Sequence, residues 1–110
     1  MDIDTKKFGA QAESVANLLK LLSNTHRLMI LCRLQEGERS VGQLEDFVGL
    51  NQSALSQHLA RLRHDGIVTT RRDARTIYYK IADDNTVRII KELYTIYCKP
   101  SSKPKKGKNP

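Results

Sequence analysis

Tryptophan is absent from the 110 residues, and cysteine occurs only twice. Two cysteines cannot make the dense disulfide framework of a small secreted scaffold, and they point instead to a reduced compartment where thiols are reactive groups. Long apolar runs are lacking too: none approaches the ~20 residues needed to span a bilayer. The N-terminus, Met1-Asp2-Ile3-Asp4, has no apolar signal-peptide segment. Secretion and membrane insertion are therefore not expected, and the expected location is cytoplasmic. The chain also lacks a nucleophile–base pair, a phosphate-binding glycine loop and a carboxylate dyad. His26, His58 and His64 are assigned most simply to helix surfaces, so no enzymatic activity is expected. Internal repeats are absent.

What remains is the size of one domain, too short for two independent cores. With 39% hydrophobic and 28% charged residues, it is globular rather than wholly disordered. The net charge of +7 is unevenly placed. Residues 1–50 sum to −1, residues 51–81 to +4, residues 82–98 to −1 and residues 99–110 to +5. Positive charge on one inner segment and one tail suits a polyanion, by default nucleic acid, although it also serves solubility.

The first helical signal is the stripe Val15, Leu18, Leu19, Leu22, spaced for a half-buried helix. Ser23-Asn24-Thr25 offers a cap for a second helix over about His26 to Gln35. Its Leu28-Met29-Ile30-Leu31-Cys32-Arg33-Leu34 interior is apolar on most sides, which suits the middle of a domain or a subunit interface. Ser40-Val41-Gly42-Gln43 reads as a capping box opening a short third helix. Asn51 caps a fourth, about Gln52 to His64, with Leu55, Leu59 and Leu62 turned inward. Two capped helices across a three-residue turn make a helix-turn-helix pattern, which a plain helical hairpin shares. Next, Ile67–Arg72 and Arg75–Ile81 alternate β-branched or aromatic with polar residues around Asp73-Ala74, predicting a two-stranded hairpin with Arg71, Arg72 and Arg75 at its tip. Asp83/Asp84 can cap a last helix carrying Val87, Ile90, Leu93, Tyr94, Tyr97 and Cys98. The expected organisation is a flexible stretch 1–9, a domain 10–98, and a disordered Lys/Pro-rich tail 99–110. The fold class is mostly α (α+β): five helices with a two-stranded β wing, a winged helix-turn-helix.

The polar face of the fourth helix carries Gln52, Ser53, Ser56 and Gln57, with Ala54 between and His58 and Arg61 nearby. Glutamine can pair with adenine through two hydrogen bonds, serine serves several bases, and alanine permits close approach or meets a thymine methyl. Arg61 and Arg63 lie further along, where phosphates are the natural partners. An isolated helix with such a face would be read as merely solvated; the adjoining basic hairpin favours double-stranded DNA. Arg71, Arg72 and Arg75 then suit phosphate or an A·T-rich minor groove, the plainer reading being a charged turn that guards a sheet edge. The tail lysines would add only salt-sensitive, sequence-independent affinity.

Asn24-Thr25-His26-Arg27-Leu28-Met29-Ile30-Leu31, Asn51-Gln52-Ser53-Ala54-Leu55-Ser56-Gln57-His58-Leu59, Leu62-Arg63 and the Arg72…Tyr78-Tyr79 wing together resemble the ArsR/SmtB-type repressors over about residues 12–98. The resemblance implies a homodimeric winged-helix repressor joined through its first and last helices, reading an imperfect inverted repeat. Physics agrees, because the Val15/Leu18/Leu22 and Val87/Ile90/Tyr94/Tyr97 stripes would leave apolar area exposed on a monomer. The close cysteine pair of the arsenic-type site is missing from Val41–Asp46. Residues 82–98 hold no histidine, and Asp83, Asp84 and Glu92 make a poor zinc site; neither metal nor cofactor is expected. Cys32 and Cys98 are placed as in the BigR/SqrR-like branch, whose paired thiols respond to persulfides and related oxidants. The resemblance thus implies reactive sulfur species as inducer, bridging of Cys32 to Cys98 by disulfide or polysulfide, and release of operator DNA.

The residues alone leave other readings open. Cys32 among leucines is also a small buried hydrophobe, and Cys98 can be interface packing beside Tyr94. The two thiols, with or without His26, could hold a soft metal or metalloid. A DNA-binding protein without an inducer is the third reading.

Overall fold

The computed structural model describes residues 4–98; the tail 99–110 lies outside them. No proline precedes residue 100, so every backbone N–H upstream is available to a helix or sheet. Five helices form, α1 (Thr5–Leu22), α2 (Thr25–Leu34), α3 (Val41–Val48), α4 (Gln52–His64) and α5 (Asp84–Tyr97), with strands β1 (Arg39–Ser40), β2 (Val68–Asp73) and β3 (Thr76–Ile81).

Helix boundaries follow local capping chemistry. Asp4 accepts from the Lys7 N–H at 3.0 Å and starts α1 at Thr5, inside the stretch 1–9 expected to be flexible. Asn24 accepts from the Arg27 N–H at 3.1 Å, while Arg27 Nε donates to the Leu21 carbonyl at 2.8 Å. One short segment thereby satisfies both the end of α1 and the start of α2. The reciprocal box at α3 is complete: Ser40 Oγ accepts from the Gln43 N–H at 3.2 Å, and Gln43 Oε1 from the Ser40 N–H at 2.9 Å. Gly49 closes α3 at φ +79°, a left-handed conformation that side chains with a Cβ resist. Asn51 then caps α4 through the Ala54 N–H at 2.8 Å.

Helix α5 starts differently from the expected backbone cap. Asp83 makes no side-chain cap bond; its Oδ1 accepts from the Thr86 hydroxyl at 2.6 Å, satisfying a buried polar group. Its last helical residue is Tyr97, and the Cys98 N–H donates to the Tyr94 carbonyl at 2.8 Å.

The expected hairpin is β2–β3, but the sheet has a third strand. Arg39 pairs with Tyr79 and Ser40 with Tyr78, giving the order β1-β3-β2. Two residues carry no periodicity to read, and Ser40 serves both the strand and the α3 cap. The turn is displaced by one residue from the expected Asp73-Ala74: β2 runs to Asp73, Ala74 and Arg75 form the turn, and Arg71 and Arg72 lie within the strand.

The core gathers around α2, where Ile30 and Leu31 are wholly buried beside Leu34. Leu44 of α3, Leu55, Leu59 and Leu62 of α4, Val68, Ile81 and Ile90 complete it. Each buried leucine contributes roughly 1.5–3 kcal/mol. Helices α1 and α5 are half-committed by contrast. Leu21 and Leu22 are buried, yet Leu19 is 51% exposed, and on α5 Ile96 and Tyr97 are 59% and 78% exposed.

Candidate nucleic-acid interface and thiol pair

Helix α4 rises from its Asn51 cap with Leu55, Leu59 and Leu62 buried. The helical period turns the remaining side chains outward: Gln52, Ser53, Ser56 and Gln57 are exposed and Ala54 half-buried. A helix N-terminus free of acidic side chains, with small and amide groups outward, can approach a polyanion and present hydrogen-bonding partners to base edges.

His58 departs from that face. It is half-buried, and its ring stands 5.8 Å from that of His26, tilted by 39°. Burial pushes its imidazole below the ordinary 6.5, with the charges of Arg27 and His26 adding to the effect. His58 therefore belongs to the α2–α4 contact, because its position on the helix turns it sideways from Ser53 and Gln57. Arg61 is exposed but donates through Nε to Asp65 Oδ2 at 3.0 Å. It lines an open groove of about 500 Å³ against α1, together with Lys20 and Asn17. Arg63, one residue past buried Leu62, is exposed and has no carboxylate partner among the described residues.

The wing arginines separate into two kinds. Arg72 and Arg75 are exposed, and the Arg72 Nε donates to the Ala74 carbonyl at 3.3 Å. Arg71 is engaged: its Nε and Nη2 donate to the two Glu38 oxygens at 2.8 and 2.9 Å. Its guanidinium also lies 4.5 Å from the centre of the Tyr78 ring. The hydrogen bond from Arg71 holds the Glu38 carboxyl below its ordinary value. Sequence reasoning missed Glu38 altogether. Thirty-three positions separate it from Arg71, and no local pattern links them.

The two cysteines are free thiols, Cys32 half-buried on α2 and Cys98 exposed at the end of α5. Helix α2 packs directly against α5. Burial pushes the Cys32 thiol above its ordinary value of 9.0, and the charges of Cys98 and Glu36 push it further. Two thiols 66 positions apart in the chain are thus carried by helices that pack on one another. No group of three or more His, Cys, Asp or Glu able to hold a metal gathers among the described residues. His26, the third ligand considered for a metal, lies six positions before Cys32 on α2 and faces His58.

Comparison with known proteins places this geometry. The family described as "Bacterial regulatory protein, arsR family" matches residues 24–70, which run from the α2 cap into β2. The biofilm growth-associated repressor of Xylella fastidiosa is 49% identical over 88 residues, covering 80% of this chain and 77% of that protein. The crystal structure of the transcriptional repressor BigR from Xylella fastidiosa superposes with a TM-score of 0.81 at 44% identity, covering 89% of this chain and all of that one. A homodimeric winged helix-turn-helix DNA-binding domain from Mycobacterium bovis gives 0.70 at 33% identity, with 86% of each chain covered. The protein is a winged helix-turn-helix transcriptional regulator, not an enzyme, and it belongs to the ArsR family.

Proposed function

We propose that this regulator is a cytoplasmic homodimeric repressor of operator DNA whose inducer is a reactive sulfur species acting on Cys32 and Cys98. The observation that carries the reading is the thiol pair, two free cysteines placed on helices α2 and α5 that pack against one another. The likeness to BigR and to the biofilm growth-associated repressor supports the repressor part.

DNA is read by Gln52, Ser53, Ala54, Ser56 and Gln57 in the major groove, with Arg63, Arg72 and Arg75 on the phosphates. The unpaired apolar faces of α1 and α5, and the homodimeric neighbour, support a two-fold dimer. Two α4 helices so related fit half-sites about one DNA turn apart.

The proposed thiol chemistry runs in two balanced steps. The exposed Cys98 thiolate attacks the outer sulfur of an organic persulfide, giving Cys98–S–SH and releasing the organic thiolate. The Cys32 thiolate then attacks the Cys98 sulfur, forming Cys32–S–S–Cys98 and expelling HS⁻. Two persulfidated cysteines would instead join as a trisulfide and release H₂S. The bridge ties α2 to α5. It shifts DNA binding by its differential stability in the two dimer arrangements, and a coupling of ~1–3 kcal/mol is a 5–150-fold change in affinity.

The test combines mass spectrometry with a DNA mobility shift, with and without an organic persulfide. A Cys32–Cys98 bridge within one chain and weakened binding are expected. Full binding after the bridge has formed would remove the sensor and leave the DNA-binding regulator. Unchanged persulfide response in Cys32→Ser and Cys98→Ser variants would do the same.

A further inference from the structure

Arg71, Tyr78 and Ser40 lie in one row across the sheet, since Ser40 pairs with Tyr78 and Tyr78 with Arg71. The Arg71 side chain crosses over the Tyr78 ring, with 4.5 Å to its centre, and reaches past β3 to Glu38, just before β1. There two hydrogen bonds of 2.8 and 2.9 Å join it to both carboxylate oxygens. Such a paired fork fixes orientation as well as distance, and the aromatic face beneath limits sideways motion. An exposed ion pair contributes little to stability. Its consequence here is geometric and electrostatic: one of the three wing arginines is neutralised and strapped to the far edge of the sheet. Arg72 and Arg75 have no carboxylate partner among the described residues.

We infer that Glu38 is a positioning residue for the wing, holding Arg71 as a strut across the sheet so that the wing presents Arg72 and Arg75, and not Arg71, to the phosphate backbone. The inference rests on the reading of the hairpin as a DNA-contacting wing. It changes the number of cations that wing supplies.

Salt dependence counts phosphate contacts, because each one lost or gained changes the slope of log affinity against log salt by about 0.9. The probe is a fluorescein-labelled random-sequence duplex of about 30 base pairs, titrated with the full chain by anisotropy at several KCl concentrations. A sequence-independent duplex suffices because the backbone term dominates such binding. Arg72→Gln and Arg75→Gln should each flatten the slope by about 0.9 per engaged wing. Arg71→Gln should leave it unchanged. Glu38→Gln frees the guanidinium and should steepen the slope by about 0.9 per wing, and the Glu38→Gln/Arg71→Gln pair should return to the parent slope. Arg71→Lys keeps the charge but cannot make the paired fork, so it should steepen the slope as Glu38→Gln does. A flatter slope in Arg71→Gln, matching that of Arg72→Gln, overturns the inference while leaving the wing on DNA. Unchanged slopes in Arg72→Gln, Arg75→Gln and Glu38→Gln together take the wing off DNA and remove both readings.

Discussion

Cys98 is exposed while Cys32 is half-buried and its thiol is held above the ordinary value by burial, so the two should differ towards an electrophile. The thiolate is the nucleophile. Limited iodoacetamide near pH 7.5, followed by peptide mass spectrometry, should label Cys98 severalfold faster than Cys32; equal rates would contradict Cys98 as the first attacker. His58 gives a pH prediction of definite sign. Its folded-state pKa lies below the unfolded 6.5, so protons bind the unfolded chain more strongly. Stability is therefore retained above about pH 6.5 and lost as pH falls through the folded value. Urea denaturation at pH 8 and pH 5 should show that loss, and His58→Asn should reduce it. At this scale the residues exposed on α4 were legible from helical periodicity, because Leu55, Leu59 and Leu62 fix which side turns inward. The sideways placement of His58 was not, since it depends on His26 being brought alongside from another helix.

Elements owe their limits to short-range chemistry, which is why the helix-turn-helix could be read from sequence. Ser40, Gln43, Gly49 and Asn51 lie within twelve residues and set both helices of the motif through bonds spanning three or four positions. Ser40→Ala removes one half of the reciprocal box and should cost about 1 kcal/mol in a chemical melt. Gly49→Ala meets no steric neighbour but must hold φ +79°, so it should destabilise by about 1 kcal/mol as well. A stability at or above that of the parent would show that the turn relaxes. Strand β1 marks the boundary of such reading. Two residues have no alternation, and their pairing with Tyr78 and Tyr79 depends on the wing folding back from nearly forty positions away.

For the whole molecule, the telling feature is the imbalance between a saturated centre and two unsatisfied helices. Phe8, Leu19 and Tyr97 are each more than half exposed, whereas α2 is enclosed. Leu19→Glu places charge on the apolar face of α1 and should shift the protein towards monomer in sedimentation. Operator affinity should fall with it, because two linked half-sites then bind independently. A variant that remains dimeric would move the interface elsewhere. The exposure of Val15 and Leu19 also explains why their stripe, read as half-buried, finds only Leu22 in the core and Leu18 against it. Their spacing marks an apolar face without naming what covers it.

By itself the sequence determined the order of the helices and the hairpin, the caps of α2, α3 and α4, the inward leucines and the basic character of the wing. These rest on hydrogen bonds and side-chain spacing within a few residues. Tertiary structure alone decided the packing of the Cys32 helix on the helix that ends at Cys98, the His26–His58 contact, the third strand, and the strapping of Arg71 to Glu38. Those depend on how α2 packs on α5 and α4 and on how the hairpin folds back on β1. Contacts between distant positions are fixed only when the common core brings their helices and strands together.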